Sequence, residues 1–330
     1  MIDFRYHLVS LISVFLALAV GIILGAGPLK ESIGDSLSTQ VEALRTDRDN
    51  LREQAATAEN NAKNQDAFLA EVGPQLVSGQ LGGRTVNIIA LPDAENDAVD
   101  AVEESLKAAG ATVAGRVTVN ETFASGTERD ALAQTLRTED PELPTDSTSA
   151  TLSAALAQSL VVPNLADAEG DKARKNLLPQ LAEAKVVSAE PDNLGLATLS
   201  VVIDGEDETS LPTASSSATS SEVAEQNADQ RKTTEEPYVA LLGALKQDSA
   251  GVVASGTAKS ATNGLLTELR DGDTDVSTVD NVNLASGPIV TTLALREQLG
   301  GGSGHYGYAD GADAVLPEKQ TAEPAPEKDK

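Results

Sequence analysis

From Leu8 to Leu29 no side chain carries a charge, and the run LVSLISVFLALAVGIILGAGPL matches the roughly 20 apolar residues that cross a bilayer's hydrocarbon core. A transmembrane helix is therefore predicted over 8–29, preceded by a short N-terminal segment, 1–7. Arg5 and the α-amino group outweigh Asp3 on the near side, whereas Lys30 faces Glu31 on the far side. An excess of basic residues stays in the cytoplasm, so residues 1–7 are expected inside and the large C-terminal part outside. Gly25-Ala26-Gly27 offers small residues to a signal peptidase. The apolar run exceeds the roughly 7 to 15 residues of a signal h-region, which favours an uncleaved single-pass anchor; cleavage would instead release the protein to the outer envelope. Ser13, Ala17, Gly21 and Gly25 recur every four residues, a stripe of small side chains against which a second helix can pack closely.

Beyond the helix-breaking pair Gly27-Pro28 the apolar period changes to heptads. One seam position falls on Leu37, Leu44, Leu51, Ala58, Gln65 and Val72, the other on Gly34, Val41, Arg48, Ala55, Ala62, Leu69 and Leu76. Ten of the thirteen are apolar and the residues between are mainly polar, the pattern of a two- or three-stranded coiled coil. A helical stalk is predicted over 33–77, extending roughly 60 Å at 1.5 Å per residue. Its pairing seam rests on Leu37, Val41, Leu44, Leu51, Leu69 and Val72. Asp47 and Arg52, at g and the following e, suit a parallel homodimer, and the e positions Arg45, Arg52 and Glu59 are candidates for selecting partners.

After Gly82-Gly83 the pattern alternates between short apolar runs and helical periods. Val86 to Leu91 reads as a buried strand, a helix through Val99, Val102 and Leu106 ends at Gly110, and Thr112 to Val119 supplies a second strand. This is a βαβ unit with parallel strands. Further helices are predicted at about 127–137, 149–160, 171–184, 238–245, 262–269 and 289–299, with strands at 197–203 and 252–254. The fold class is thus α/β: a transmembrane helix and coiled-coil stalk, then an extracytoplasmic domain, 82–310, with a parallel-rich sheet flanked by helices. Residues 208–236, polar and without an apolar period, are expected to form a mobile loop, and 311–330, ending in a run of Pro, Glu and Lys, a disordered tail.

Composition narrows the chemistry. The net charge of −27 opposes nucleic acid as a partner, and aromatic residues make up only 2%, leaving few platforms for stacking bases. There is no cysteine, Met1 is the one methionine, and the histidines are His7 and His305. Disulfides, thiolate metal sites and thiol nucleophiles are excluded. Gly302-x-Gly304-x-x-Gly307 has dinucleotide-binding spacing but follows a helix instead of a strand. The Asp271, Asp273, Asp275 series lacks the glycine and the final acid of a calcium loop. A triad of Ser277 or Ser303 with Asp280 and His305 rests on residue types too common here to carry an enzyme assignment. No catalytic, cofactor or metal residue is predicted.

The N-terminal MIDFRYHLVSLISVFLALAVGIILGAGPL, together with Ser277-Thr278-Val279-Asp280-Asn281, Gly287, Leu293-Ala294-Leu295 and Gly304-His305-Tyr306-Gly307, resembles the actinobacterial MctB family. These are proteins described as copper transport or envelope channel proteins, and the closest likeness is to their corynebacterial septal members, called SteB. The resemblance implies a mycolate-type envelope and an anchor, stalk and α/β domain. For the septal members it also implies a membrane partner of thiamin-pyrophosphokinase-like fold and a peptidoglycan hydrolase. Copper as a cofactor enters only through this resemblance, because Cu(I) selects thiolate or thioether and Cu(II) imidazole, and the chain is poor in all three. A single apolar helix likewise lacks a polar face to line a pore. Ser277, Thr278, Asp280, Asn281, His305 and Tyr306, short polar or turn-forming positions, are candidate partner contacts; the alternative is that they close the domain. The expected function is a non-enzymatic, dimerising scaffold for protein partners in cell division or wall remodelling, with copper transport or an envelope channel as the alternative.

Overall fold

The computed structural model describes residues 3–26, 28–166, 168–189, 194–205, 220–272 and 274–318. The chain divides into two compact units, Met1–Gln65 and Asp66–Lys330.

In the first unit, helix α1 (Asp3–Ala26) contains a span, Phe4–Ile23, long and apolar enough to cross a membrane, and none of it is buried within the chain. Helix α2 (Pro28–Val77) then begins at a proline, which the first position of a helix tolerates because its missing N–H has no intrahelical partner there. Leu37, Val41, Leu44 and Leu51 stay 61%, 43%, 68% and 64% exposed. The apolar stripe at heptad spacing is therefore uncovered by the chain itself.

The second unit is a seven-stranded sheet in the order β3-β2-β1-β4-β5-β6-β7. Its strands are β1 (Thr85–Ala90), β2 (Thr112–Val119), β3 (Val187–Ala189), β4 (Leu199–Ile203), β5 (Gly251–Ser255), β6 (Ser277–Val279) and β7 (His305–Tyr306). All neighbouring pairs are parallel except β2 with β3. The helices are α3 (Asn96–Ala108), α4 (Arg129–Glu139), α5 (Thr148–Leu160), α6 (Ala168–Glu183), α7 (Ser220–Asp248), α8 (Ser260–Asn263), α9 (Leu265–Asp271) and α10 (Gly287–Gln298).

Alternation along each strand builds two cores. Val86 and Ile88 of β1 join Leu199, Val201, Ile203 and Val253 in a layer with α3 and α10, while Ile89 joins Val202, Val252 and Ala254 in a layer with α5, α6 and α7. The amphipathic period of α3 places Val99, Val102 and Leu106 in the first of these. Gly110, at φ 85°, ends α3 in the left-handed region and returns the chain to β2, as the sequence predicts. The domain also begins earlier than residue 82: Gly73, Val77 and Leu81 are buried, and Leu69 packs against the α3 and α10 layer.

Two segments differ from expectation. The predicted mobile loop 208–236 is helical from Ser220 onward, as part of α7, while 208–219 lies outside the described residues. Polar contacts hold this stretch in place of an apolar period: Arg231 Nε donates to Glu268 Oε1 at 2.5 Å, and Ser149 Oγ donates to Glu236 Oε2 at 2.8 Å. The predicted disordered tail is also held by backbone hydrogen bonds at 313–314, though most of 311–318 is exposed. Asp313 N and Gly307 N donate to His305 O and Ala314 O at 2.7 and 3.0 Å; 319–330 lies outside the described residues.

Candidate functional site

The polar residues of the C-terminal motif meet at one edge of the sheet. Arg270, in the last turn of α9, and Asp280, just past β6, are 4% and 0% exposed and pair at 3.0 Å. Asp280 also accepts from Tyr308 N at 2.8 Å and Ala309 N at 3.0 Å. Arg270 donates to Thr278 Oγ1 at 3.1 Å, to Tyr306 O at 3.3 Å and to Asp310 O at 3.1 Å. A buried ion pair is tolerated only when its remaining hydrogen-bonding capacity is used, and the backbone of residues 306–310 supplies those partners.

The adjoining residues complete a strap. Thr278 Oγ1 lies 3.0 Å from His305 Nδ1, Ser277 Oγ accepts from Gln298 Nε2 at 2.8 Å and from Gly304 N at 3.3 Å, and Tyr306 hydrogen-bonds Glu297 of α10. Asn281 Nδ2 donates to Ser286 Oγ at 2.8 Å. Gly307 lies at φ 131°, and a Cβ there would sit 1.9 Å from Asp280 Oδ1. A Cβ at Gly287 would sit 2.1 Å from Asn281 O. The motif's glycines are thus required by close approach to the residues they accompany. Burial lowers the pKa of His305; nearby Asp313 opposes this and Arg270 adds to it.

These positions correct the expectation of a partner surface. Ser277, Thr278, Asp280, Asn281 and Tyr306 are buried and His305 is half-buried; all but Asn281, which bonds Ser286, are engaged with the 298–310 segment, so they offer little to a partner. Ser277–Val279 is a strand, β6, legible only through its pairing with β5 and β7. The hydrolytic triad also fails: the His305 ring meets Thr278, Ser277 meets Gln298, and Asp280 is committed to Arg270. Sequence reasoning misses Arg270, since a basic residue in a helix's last turn reads as a macrodipole partner.

Elsewhere the predicted residues separate. Arg45, Arg52 and Glu59 are exposed on α2, and Ala17 and Gly21 are exposed on α1; the side-chain surroundings of Gly25 lie outside the described residues. Leu69 and Val72, read as seam positions, are half-buried, with Leu69 engaged by its own domain.

Two further places on the domain have the position or shape of a ligand site. In parallel α/β sheets small molecules bind where strand order reverses, here between β1 and β4. That crevice is closed by backbone: a Cβ on Gly205 would lie 2.1 Å from the Asp93 carbonyl carbon. Its surroundings are acidic. Burial, with help from Glu235, Asp204, Glu121 and Asp93, pushes the Tyr238 hydroxyl above its ordinary value. A groove of about 430 Å³ lies between the end of α2, α3 and the 282–289 segment, lined by Leu69, Pro74, Ala101 and Ile289 with Glu95, Asp97 and Glu104. Neither place suits an anionic ligand. Among the described residues, no group of three or more His, Cys, Asp or Glu side chains is arranged to hold a metal ion.

Comparison with known proteins matches residues 1–317 to the family model MctB, described as "Copper transport outer membrane protein". The copper transporter MctB of Mycobacterium tuberculosis is 29% identical over 342 residues, covering 96% of this chain and 99% of that protein. The protein of the same name from Mycobacterium bovis matches equally, and that from Mycobacterium leprae is 28% identical over 338 residues with the same coverage.

Proposed function

The chain belongs to the MctB family, and from that premise we propose that it acts in copper transport at the cell envelope as a membrane-anchored protein. The observation that carries this reading is the extent of the match. It runs from the apolar N-terminal helix through the sheet and strap to residue 317, nearly the whole length of the chain. The relatives named above carry a copper-transport name, which favours this reading over the septal scaffold expected from the corynebacterial likeness. The span Phe4–Ile23, none of it buried within the chain, supports attachment to a membrane, with the basic N-terminal end on the cytoplasmic side.

Self-association through α2 belongs to the same proposal, favoured by the uncovered stripe of Leu37, Val41, Leu44 and Leu51. An unpaired heptad seam leaves large aliphatic side chains in water, and a second copy in parallel covers them while setting Asp47 against Arg52.

The test is growth of a deletion strain on a copper series. Loss of the gene is expected to lower copper tolerance, restored by the full chain but not by a chain lacking α1. Copper tolerance unchanged by deletion overturns the proposal.

A further inference from the structure

We infer that this chain serves copper transport without coordinating copper itself. This rests on the proposed function and on the donor atoms the chain supplies.

Copper sites are built from thiolate, thioether or imidazole, with carboxylate too unselective to choose copper over more abundant divalent ions. The sequence holds no cysteine, one methionine, at position 1, and two histidines, His7 and His305. Those histidines lie in different units of the fold, one at the start of α1 and one in β7. His305 is the only imidazole of the α/β domain, and its place in the strap works against a metal. Nδ1 lies 3.0 Å from Thr278 Oγ1, and the hydroxyl it meets also accepts from the Arg270 guanidinium. A copper ion at this ring would stand beside a buried cation that already raises the cost of charging the imidazole. The nearby carboxylates are in use: Asp280 by Arg270 and two backbone amides, and Asp313 by His305 N at 2.9 Å.

A route through α1 fares no better. The span Phe4–Ile23 holds three hydroxyl-bearing residues, Tyr6, Ser10 and Ser13, and Ser13 donates to Val9 O of its own helix at 2.9 Å. All three lie in its first half, so they make no row of ligands along the helix for a passing ion. What the chain offers is an anchor, an uncovered heptad face and a rigid domain, which are means of holding components together.

The experiment uses the detergent-solubilised full chain loaded separately with Cu(I) and Cu(II), then dialysed against a competing chelator, with bound copper measured by mass spectrometry. Wild type is expected to retain only substoichiometric copper in both states, with no change in His305→Gln or His7→Ala. A full equivalent retained by wild type overturns the inference, whether a histidine variant removes it or a carboxylate site keeps it in both. Because this measures binding and not tolerance, its failure is distinct from failure of the copper-transport reading: a retained equivalent leaves that reading standing.

Discussion

Replacing Asp280 with Ala should loosen the C-terminal strap more than any other single side-chain truncation at the sheet edge. Asp280 is fully buried and meets Arg270, itself 4% exposed, at 3.0 Å. Removing the carboxylate leaves a buried guanidinium without its counter-charge, which costs about 3–5 kcal/mol. The amides of Tyr308 and Ala309 also lose their acceptor, which places the loss toward the upper end of that range. At roughly 2–4 °C per kcal/mol for a domain of this size, the melting temperature should fall by about 6–20 °C. Hydrogen exchange of residues 304–310 should rise before that of the central strands β1 and β4. The double variant Arg270→Met with Asp280→Ala removes both charges and should recover a substantial part of the loss, giving a coupling energy of about 1–3 kcal/mol in a double-mutant cycle. A single-variant cost below about 1 kcal/mol, or costs that simply add, would refute the assignment of this pair as the strap's clamp.

The strap should also respond to pH through His305. Its folded pKa is lowered below 6.5, so the unfolded state binds the proton more readily; the contribution is complete above about pH 6.5 and is lost as pH falls toward the folded value. Protection of the Thr278 and Tyr306 amides, taken as the exchange rate relative to each amide's intrinsic rate at the same pH, should therefore fall on acidification from pH 7.5 to about 5, and His305→Gln should flatten that dependence. Gly205→Ala forces a Cβ to within 2.1 Å of the Asp93 carbonyl carbon, where backbone must shift; denaturant unfolding should show a loss of about 1–3 kcal/mol. Leu44→Asp with Leu51→Asp places charge on the exposed stripe of α2, and sedimentation in detergent should show weaker self-association with unchanged circular dichroism of the sheet; undiminished association would place the interface elsewhere.

How much of this was legible depended on how locally each element is specified. The β1-α3-β2 unit could be read because an unbroken apolar run and a 3.6-residue period each persist long enough to be unambiguous, and Gly110 marks the turn between them. The three-residue strand β6 and two-residue β7 could not, since neither has a period and both exist through pairing with a neighbour. The strap's residues were noticed, but the sequence left open whether they meet a partner or close the domain. Short polar residues look like surface, and only the placement of Arg270 beside Asp280 explains why they are buried. The same holds for α7, where Arg231 and Glu236 find partners on α9 and α5 that no local pattern announces. At Leu69 the heptad continues in sequence, while the helix has already begun to pack on its own domain through Gly73 and Val77.

The most direct measurement is cellular copper content in a deletion strain carrying the wild-type gene, an empty vector, or the His7→Ala, His305→Gln double variant. The empty-vector strain is expected to depart from wild type and the double variant to restore wild-type copper, because the chain acts without imidazole ligands. A double variant that is normally expressed and membrane-bound yet leaves copper at the empty-vector level would contradict it.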